Sequence, residues 1–179
     1  KAIRRAFELG ATFLDTADVY GCGHSERLIA KAIEGHRDQM VIATKFGFPI
    51  DEATRTTSGQ RCDRDYIFKA CEASLRRLKS DHIDLYQFHL GESKHGEEMR
   101  EVLEELVSSG KIRYYGWSTD DPGRARLFAQ GKHCVAIQQH LNVFGGKFDA
   151  DIMGGGGNPN GVSLEIVGAP PDSQVVPFG

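Results

Sequence analysis

Four side chains in the first half of the chain have types and spacing suited to donating a proton and polarising a carbonyl. Asp15 and Tyr20 sit five residues apart in Asp15-Thr-Ala-Asp-Val-Tyr20-Gly21, Lys45 closes the run Ile42-Ala-Thr-Lys45, and His89 closes Asp84-Leu-Tyr-Gln-Phe-His89. A phenol has an ordinary pKa of ~10, so as a proton donor near neutral pH it needs a neighbour that favours phenolate in the transition state. A buried lysine does this, and a carboxylate such as Asp15, by pairing with it, keeps that lysine charged in a desolvated site. Imidazole can then orient a substrate carbonyl. The set is what carbonyl reduction requires once a hydride donor is supplied. A hydrolase on a comparable scaffold would need paired carboxylates at strand ends or a metal cluster, and only Asp15 qualifies. The remaining histidines, His24, His36, His82, His95, His133 and His140, show no HxxH or HExxH spacing. Cys22, Cys62, Cys71 and Cys134 form no CxxC. Neither a metal site nor a disulfide framework is expected, and the thiols read as reduced ones in a cytoplasmic protein.

The elements that must position these groups alternate. Short apolar runs occur at Ala11–Asp15, Met40–Thr44, Ile83–Phe88, Ile112–Trp117 and Val135–Gln138, each of strand length. Between them lie amphipathic stretches. Residues 26–34 place Leu28, Ile29, Ala32 and Ile33 on one face. Residues 65–78 place Ile67, Phe68, Cys71, Leu75 and Leu78 at three- and four-residue steps. Residues 97–108 carry Met99, Val102, Leu103, Leu106 and Val107, and Asp121-Pro122 opens a shorter helix over 122–129. Strand and helix in alternation predict parallel strands joined by crossovers. No GxGxxG joins a strand to a helix, so the open dinucleotide-binding sheet loses its usual signature. The closed β/α barrel gains, because its sites lie at the carboxyl ends of the strands, and the runs here lead into Asp15, Lys45, His89, Ser118 and Gln138. Tyr114, Tyr115 and Trp117 read as barrel wall, with the substrate pocket as the alternative. Asp18 reads as a solvated loop carboxylate, and Arg61, Arg64, Arg76 and Arg77 as a solvated helix face.

Five segments together resemble the aldo/keto reductases: Leu14-Asp-Thr-Ala-Asp-Val-Tyr-Gly21, Ile42-Ala-Thr-Lys-Phe-Gly47, Ser74-Leu-Arg-Arg-Leu78, Asp81-His-Ile-Asp-Leu-Tyr-Gln-Phe-His89 and Gly110-Lys-Ile-Arg-Tyr-Tyr-Gly-Trp-Ser118. Their order and spacing match over residues 1–144. The resemblance implies a partial (β/α)8 barrel of the TIM type and NADPH bound without a Rossmann domain. It implies a catalytic tetrad of Tyr20, Asp15, Lys45 and His89, with Tyr20 as proton donor to a small carbonyl substrate. It also implies nicotinamide contacts from Ser118, Thr119 and Gln138, with Thr119 standing where the family usually has Asn. The chain begins within the family's first helix, and after Leu141-Asn-Val-Phe-Gly-Gly146 it departs from the pattern. The family's phosphate-clamping loops are therefore unmatched, and these 179 residues alone are expected to bind NADPH weakly. A reading of another class is a noncatalytic regulatory or binding protein that retains the barrel units.

Composition bounds the rest. With 179 residues, 40% hydrophobic and 26% charged, the chain is long enough for one buried core. No apolar run approaches the ~18–20 residues of a membrane span. A net charge of −3 offers no basic surface for nucleic acid. Glycine and proline crowd the last part of the chain, including four consecutive glycines at 154–157. Residues 1–146 are therefore read as barrel and 147–179 as an irregular acidic tail.

Overall fold

The computed structural model describes residues 1–89 and 95–138, together with the backbone of 139–140 and 163–167. The elements are α1 (Ala2–Glu8), β1 (Phe13–Asp15), α2 (His24–Ala32), β2 (Val41–Phe46), a small hairpin of β3 (Ile50–Asp51) and β4 (Thr56–Thr57), α3 (Arg64–Leu78), β5 (Ile83–His89), α4 (Gly96–Ser108), β6 (Ile112–Ser118), α5 (Pro122–Ala129), β7 (Cys134–His140) and β8 (Ser163–Val167). The larger sheet has the order β1-β2-β5-β6-β7-β8, and every pairing in it is parallel. Each strand thus lies beside the next β/α unit in the chain, the arrangement expected of part of a β/α barrel.

Local chemistry accounts for the helix ends. Asp63 caps α3, its side chain accepting from the Tyr66 N–H, and Asp121 caps α5 by accepting from the Arg124 N–H, with Pro122 in the first turn. Loss of such a cap typically costs about 1 kcal/mol. The apolar faces of α2, α3, α4 and α5 close over one side of the sheet. Ile42, Phe46, Tyr86, Phe88, Trp117 and Phe128 form the centre of that core. Phe46 stacks on Tyr86 with ring centroids 4.6 Å apart, Phe88 meets Trp117 edge-on at 5.4 Å, and Trp117 lies 4.6 Å from Phe128. Such aromatic pairs contribute about 0.5–1.5 kcal/mol each beyond their buried area. Because side chains alternate along a strand, anchoring Phe46, Phe88 and Trp117 on the helix side commits Lys45, His89 and Ser118 to the other.

Two sequence expectations change. Residues 163–167, placed within an irregular tail, form β8, which pairs with β7 in register Ala136↔Ser163 through His140↔Val167. The segment Ser-Leu-Glu-Ile-Val favours a strand, and the glycines and prolines on either side masked it. The other residues of 147–179 lie outside the described set. Arg77, read as solvated, is 4% exposed and pairs with Glu26, which is itself fully buried. A three- and four-residue period identifies a helix face but not what a second helix will cover. Among the described residues, no helix is long and apolar enough to cross a membrane.

Candidate active site

Parallel pairing brings the carboxyl ends of β1, β2 and β5 side by side, in register Asp15↔Ala43 and Lys45↔Gln87. Lys45 is 1% exposed. Its ammonium donates to both Asp15 carboxylate oxygens at 2.6 Å and to the Thr16 carbonyl at 3.0 Å, which occupies its three hydrogens. Asp15 keeps a side-chain exposure of 24%, so the pair stands at the boundary between core and solvent. Breaking a buried ion pair from one side typically costs about 3–5 kcal/mol, and solvent at the Asp15 end makes the cost here smaller.

Tyr20 follows on the loop between β1 and α2. It is 44% exposed, open enough to meet a substrate. Its ring stands edge-on to His89 with centroids 5.9 Å apart, and the Lys45 ammonium lies 5.8 Å from its centroid. Burial, and then the Asp15 carboxylate, push the Tyr20 phenol above its ordinary value. In the resting site the phenol therefore retains its proton.

His89 is 8% exposed, and burial followed by the Lys45 charge lowers its pKa to about 4. Near neutral pH it is an uncharged imidazole, with one donor and one acceptor. Its Nδ1 is buried and has no partner among the described residues. Phe48 stands edge-on to its ring at 6.2 Å.

Ser118 and Gln138 are register partners on β6 and β7, beside His89, which pairs in register with Ser118. Both are buried, and the Gln138 amide nitrogen has no partner among the described residues. A buried, unmatched N–H donor costs about 1–3 kcal/mol, so a site holding one is suited to a ligand that supplies an acceptor. The carboxamide oxygen of a nicotinamide has that chemistry, and the serine hydroxyl beside it can donate or accept. Thr119 is placed differently. Its N–H donates to the Gln138 carbonyl at 2.8 Å, and its hydroxyl oxygen accepts from the Asp121 N–H at 3.1 Å, at the start of α5. It ties two strand ends and a helix cap together.

The structure therefore brings Asp15, Tyr20, Lys45 and His89 together at one end of the sheet, with Ser118 and Gln138 beside them on β6 and β7. Three contributors escaped the sequence reading: the Thr16 carbonyl, the Phe48 ring and Gln87, whose fully buried amide has no partner among the described residues. Phe48 had a positional signal, because it stands two residues past the carboxyl end of β2, on the loop that leaves the site. Nothing local announced the other two. Among the described residues no group of His, Cys, Asp and Glu could hold a metal ion. A cleft of about 610 Å³, lined by His82, Ile112, Tyr114 and His133, lies at the opposite ends of the strands.

The model of the aldo/keto reductase family matches residues 1–152. The uncharacterized oxidoreductase YqkF of Bacillus subtilis (strain 168) is 38% identical over 142 residues, which is 78% of this chain and 45% of that protein. The holo form of aldo-keto reductase AKR11C1 from Bacillus halodurans superposes with a TM-score of 0.81 at 33% identity, covering 91% of this chain and 55% of that one. An aldo-keto reductase from Klebsiella pneumoniae in complex with NADPH gives a TM-score of 0.64 at 32% identity, covering 76% and 45%. The chain spans about half the length of the curated relatives it matches.

Proposed function

Because the chain belongs to the aldo/keto reductase family, we propose that the protein carrying this sequence reduces an aldehyde or ketone to the alcohol with NADPH. The observation that carries this reading is the buried Lys45 ammonium, held by both oxygens of Asp15, within 5.8 Å of the ring of a partly exposed Tyr20.

The nicotinamide of NADPH would supply the hydride, with its carboxamide held by Ser118 and Gln138. Tyr20 donates its proton to the carbonyl oxygen as negative charge develops there. A donor is useful in this role only if it arrives protonated, and the raised phenol value ensures that. The Lys45 charge, fixed by Asp15 and Thr16 before the reaction, favours the phenolate that proton transfer leaves behind and needs no reorganisation to do so. Neutral His89 hydrogen-bonds the same carbonyl oxygen through Nε2, since Nδ1 is the buried nitrogen, and does not compete as an acid. Phe48 on the edge of His89 gives the substrate pocket an apolar wall.

The nicotinamide site is tested by binding alone. Gln138→Leu removes the unmatched donor at nearly constant volume and should raise the NADPH dissociation constant about tenfold in isothermal titration, the equivalent of one hydrogen bond. An unchanged constant in a folded variant would place the nicotinamide elsewhere.

A further inference from the structure

Asp18, expected to be a solvated loop carboxylate, is 2% exposed. It lies between Asp15 and Tyr20, and its backbone joins the loop to the rest of the site. Its N–H donates to the Lys45 carbonyl at 3.1 Å, and its own carbonyl accepts from the Gly23 N–H at 2.6 Å. Gly23 has φ +82°, and a Cβ there would come within 2.4 Å of Arg77 Cδ, so the loop closes directly onto the arginine. One carboxyl oxygen of Asp18 has no partner among the described residues. Asp18 also lines a cleft of about 270 Å³ with Glu52, Tyr66, Lys69 and Arg77.

We propose that Asp18 is a positioning residue that acts from this cleft to hold the Asp15–Tyr20 loop against the end of β2, and so sets where the Tyr20 ring stands relative to His89 and Lys45.

The charges around it determine the form in which it can do so. Glu26 on α2 accepts from Arg77 at 2.5 Å and from the Thr44 hydroxyl at 2.8 Å. Glu52, beyond β3, accepts from Arg77 at 3.1 Å and also bonds Arg27. Arg77 gives its Nε–H to Glu26, one Nη to Glu52 and the other to the Ser74 hydroxyl, so its donors are engaged by groups other than Asp18, and an ionised Asp18 would be a buried negative charge beside Glu26. From α3 it faces Arg77, Tyr66 and Lys69, from α2 Glu26, and from the hairpin Glu52, with Asp15 and Tyr20 on its own loop. Burial and then Glu26 raise its pKa to about 7, against the opposing pull of Arg77 and of backbone N–H groups. The folded protein therefore retains a proton that the unfolded chain releases above an ordinary carboxyl value of about 4. The stability associated with this proton is fully present below that value and is lost as pH rises toward 7. Above 7 the cost of a buried, incompletely partnered carboxylate favours outward movement of the loop, which carries Tyr20 away from His89.

This inference rests on the reading of Tyr20 as proton donor, and its test observes ring placement without turnover, so the two can fail separately. The nuclear Overhauser contact between the Tyr20 and His89 rings is measured from about pH 5.5 to about pH 8.5, alongside a ¹³C-labelled Asp carboxyl titration. The contact should weaken by about threefold or more with the same midpoint as Asp18. In Asp18→Asn, a neutral isostere, it should persist across the range. Glu26→Gln, should Asp18→Asn fail to fold, should move the Asp18 midpoint downward. A contact independent of pH in the parent, the same loss in Asp18→Asn, or an unmoved midpoint in Glu26→Gln would each overturn the proposal.

Discussion

Tyr20→Phe is expected to lower turnover in carbonyl reduction by about 10²–10⁴-fold, the usual contribution of a positioned general acid. The substitution removes one oxygen and keeps the ring, so the edge-on contact with His89 and the position of the ring near Lys45 survive. The phenol proton is needed only as charge develops on the carbonyl oxygen. The loss should therefore fall on kcat, while the NADPH dissociation constant stays within about twofold of the parent. Steady-state kinetics with a titration of the cofactor separate the two. Turnover within about threefold of the parent would show that another group donates the proton.

Lys45→Met should do comparable damage to turnover, about 10²-fold or more, by a different route. Methionine fills the volume of the stem but leaves Tyr20 without the fixed charge that favours phenolate, and leaves Asp15 without its partner. Asp15 retains solvent access, so the unpaired carboxylate is hydrated at modest cost and the fold should persist. Circular dichroism and a melting curve establish the fold, and the kinetics then report on chemistry. The signature that distinguishes this variant from Tyr20→Phe is the Tyr20 titration. With the Lys45 charge gone and Asp15 unpaired, the phenol should ionise at still higher pH than in the parent, because the remaining influences, burial and Asp15, both disfavour phenolate. A folded Lys45→Met protein with near-parental turnover would remove the ammonium from the mechanism.

Much of the architecture was legible because each strand alternates an apolar residue packed against helices with a polar one at its carboxyl end. Phe46 beside Lys45, Phe88 beside His89 and Trp117 beside Ser118 carry both the strand and its direction. The helix faces were equally plain, since Ile67, Cys71, Leu75 and Leu78 repeat at helical steps. What was not legible depends on distant partners. Arg77 is a helix residue like its neighbour Arg76 until Glu26, fifty-one residues away in sequence, accepts its Nε–H. Asp18 is an ordinary loop acid until α2 and α3 cover it. The hairpin of β3 and β4 rests on two residues per strand, too few to give a period. Strand β8 was hidden by its surroundings, as composition averages over the glycines beside it. The motif position of Thr119 did not show that its hydroxyl oxygen also accepts from the Asp121 N–H at the start of α5.

The central claim is that the Asp15, Tyr20, Lys45 and His89 cluster and the Ser118–Gln138 pair serve one hydride transfer from NADPH to a carbonyl. The most direct measurement follows the hydrogen itself. The protein is given NADPH deuterated at the transferable position of the nicotinamide, with an aldehyde or ketone in ordinary water, and the alcohol is examined by mass spectrometry. One deuterium on the carbinol carbon, formed by the parent and almost absent with Tyr20→Phe over the same interval, is the expected result. An alcohol whose new carbon-bound hydrogen comes from water, or a Tyr20→Phe protein that delivers deuterium as fast as the parent, would contradict it.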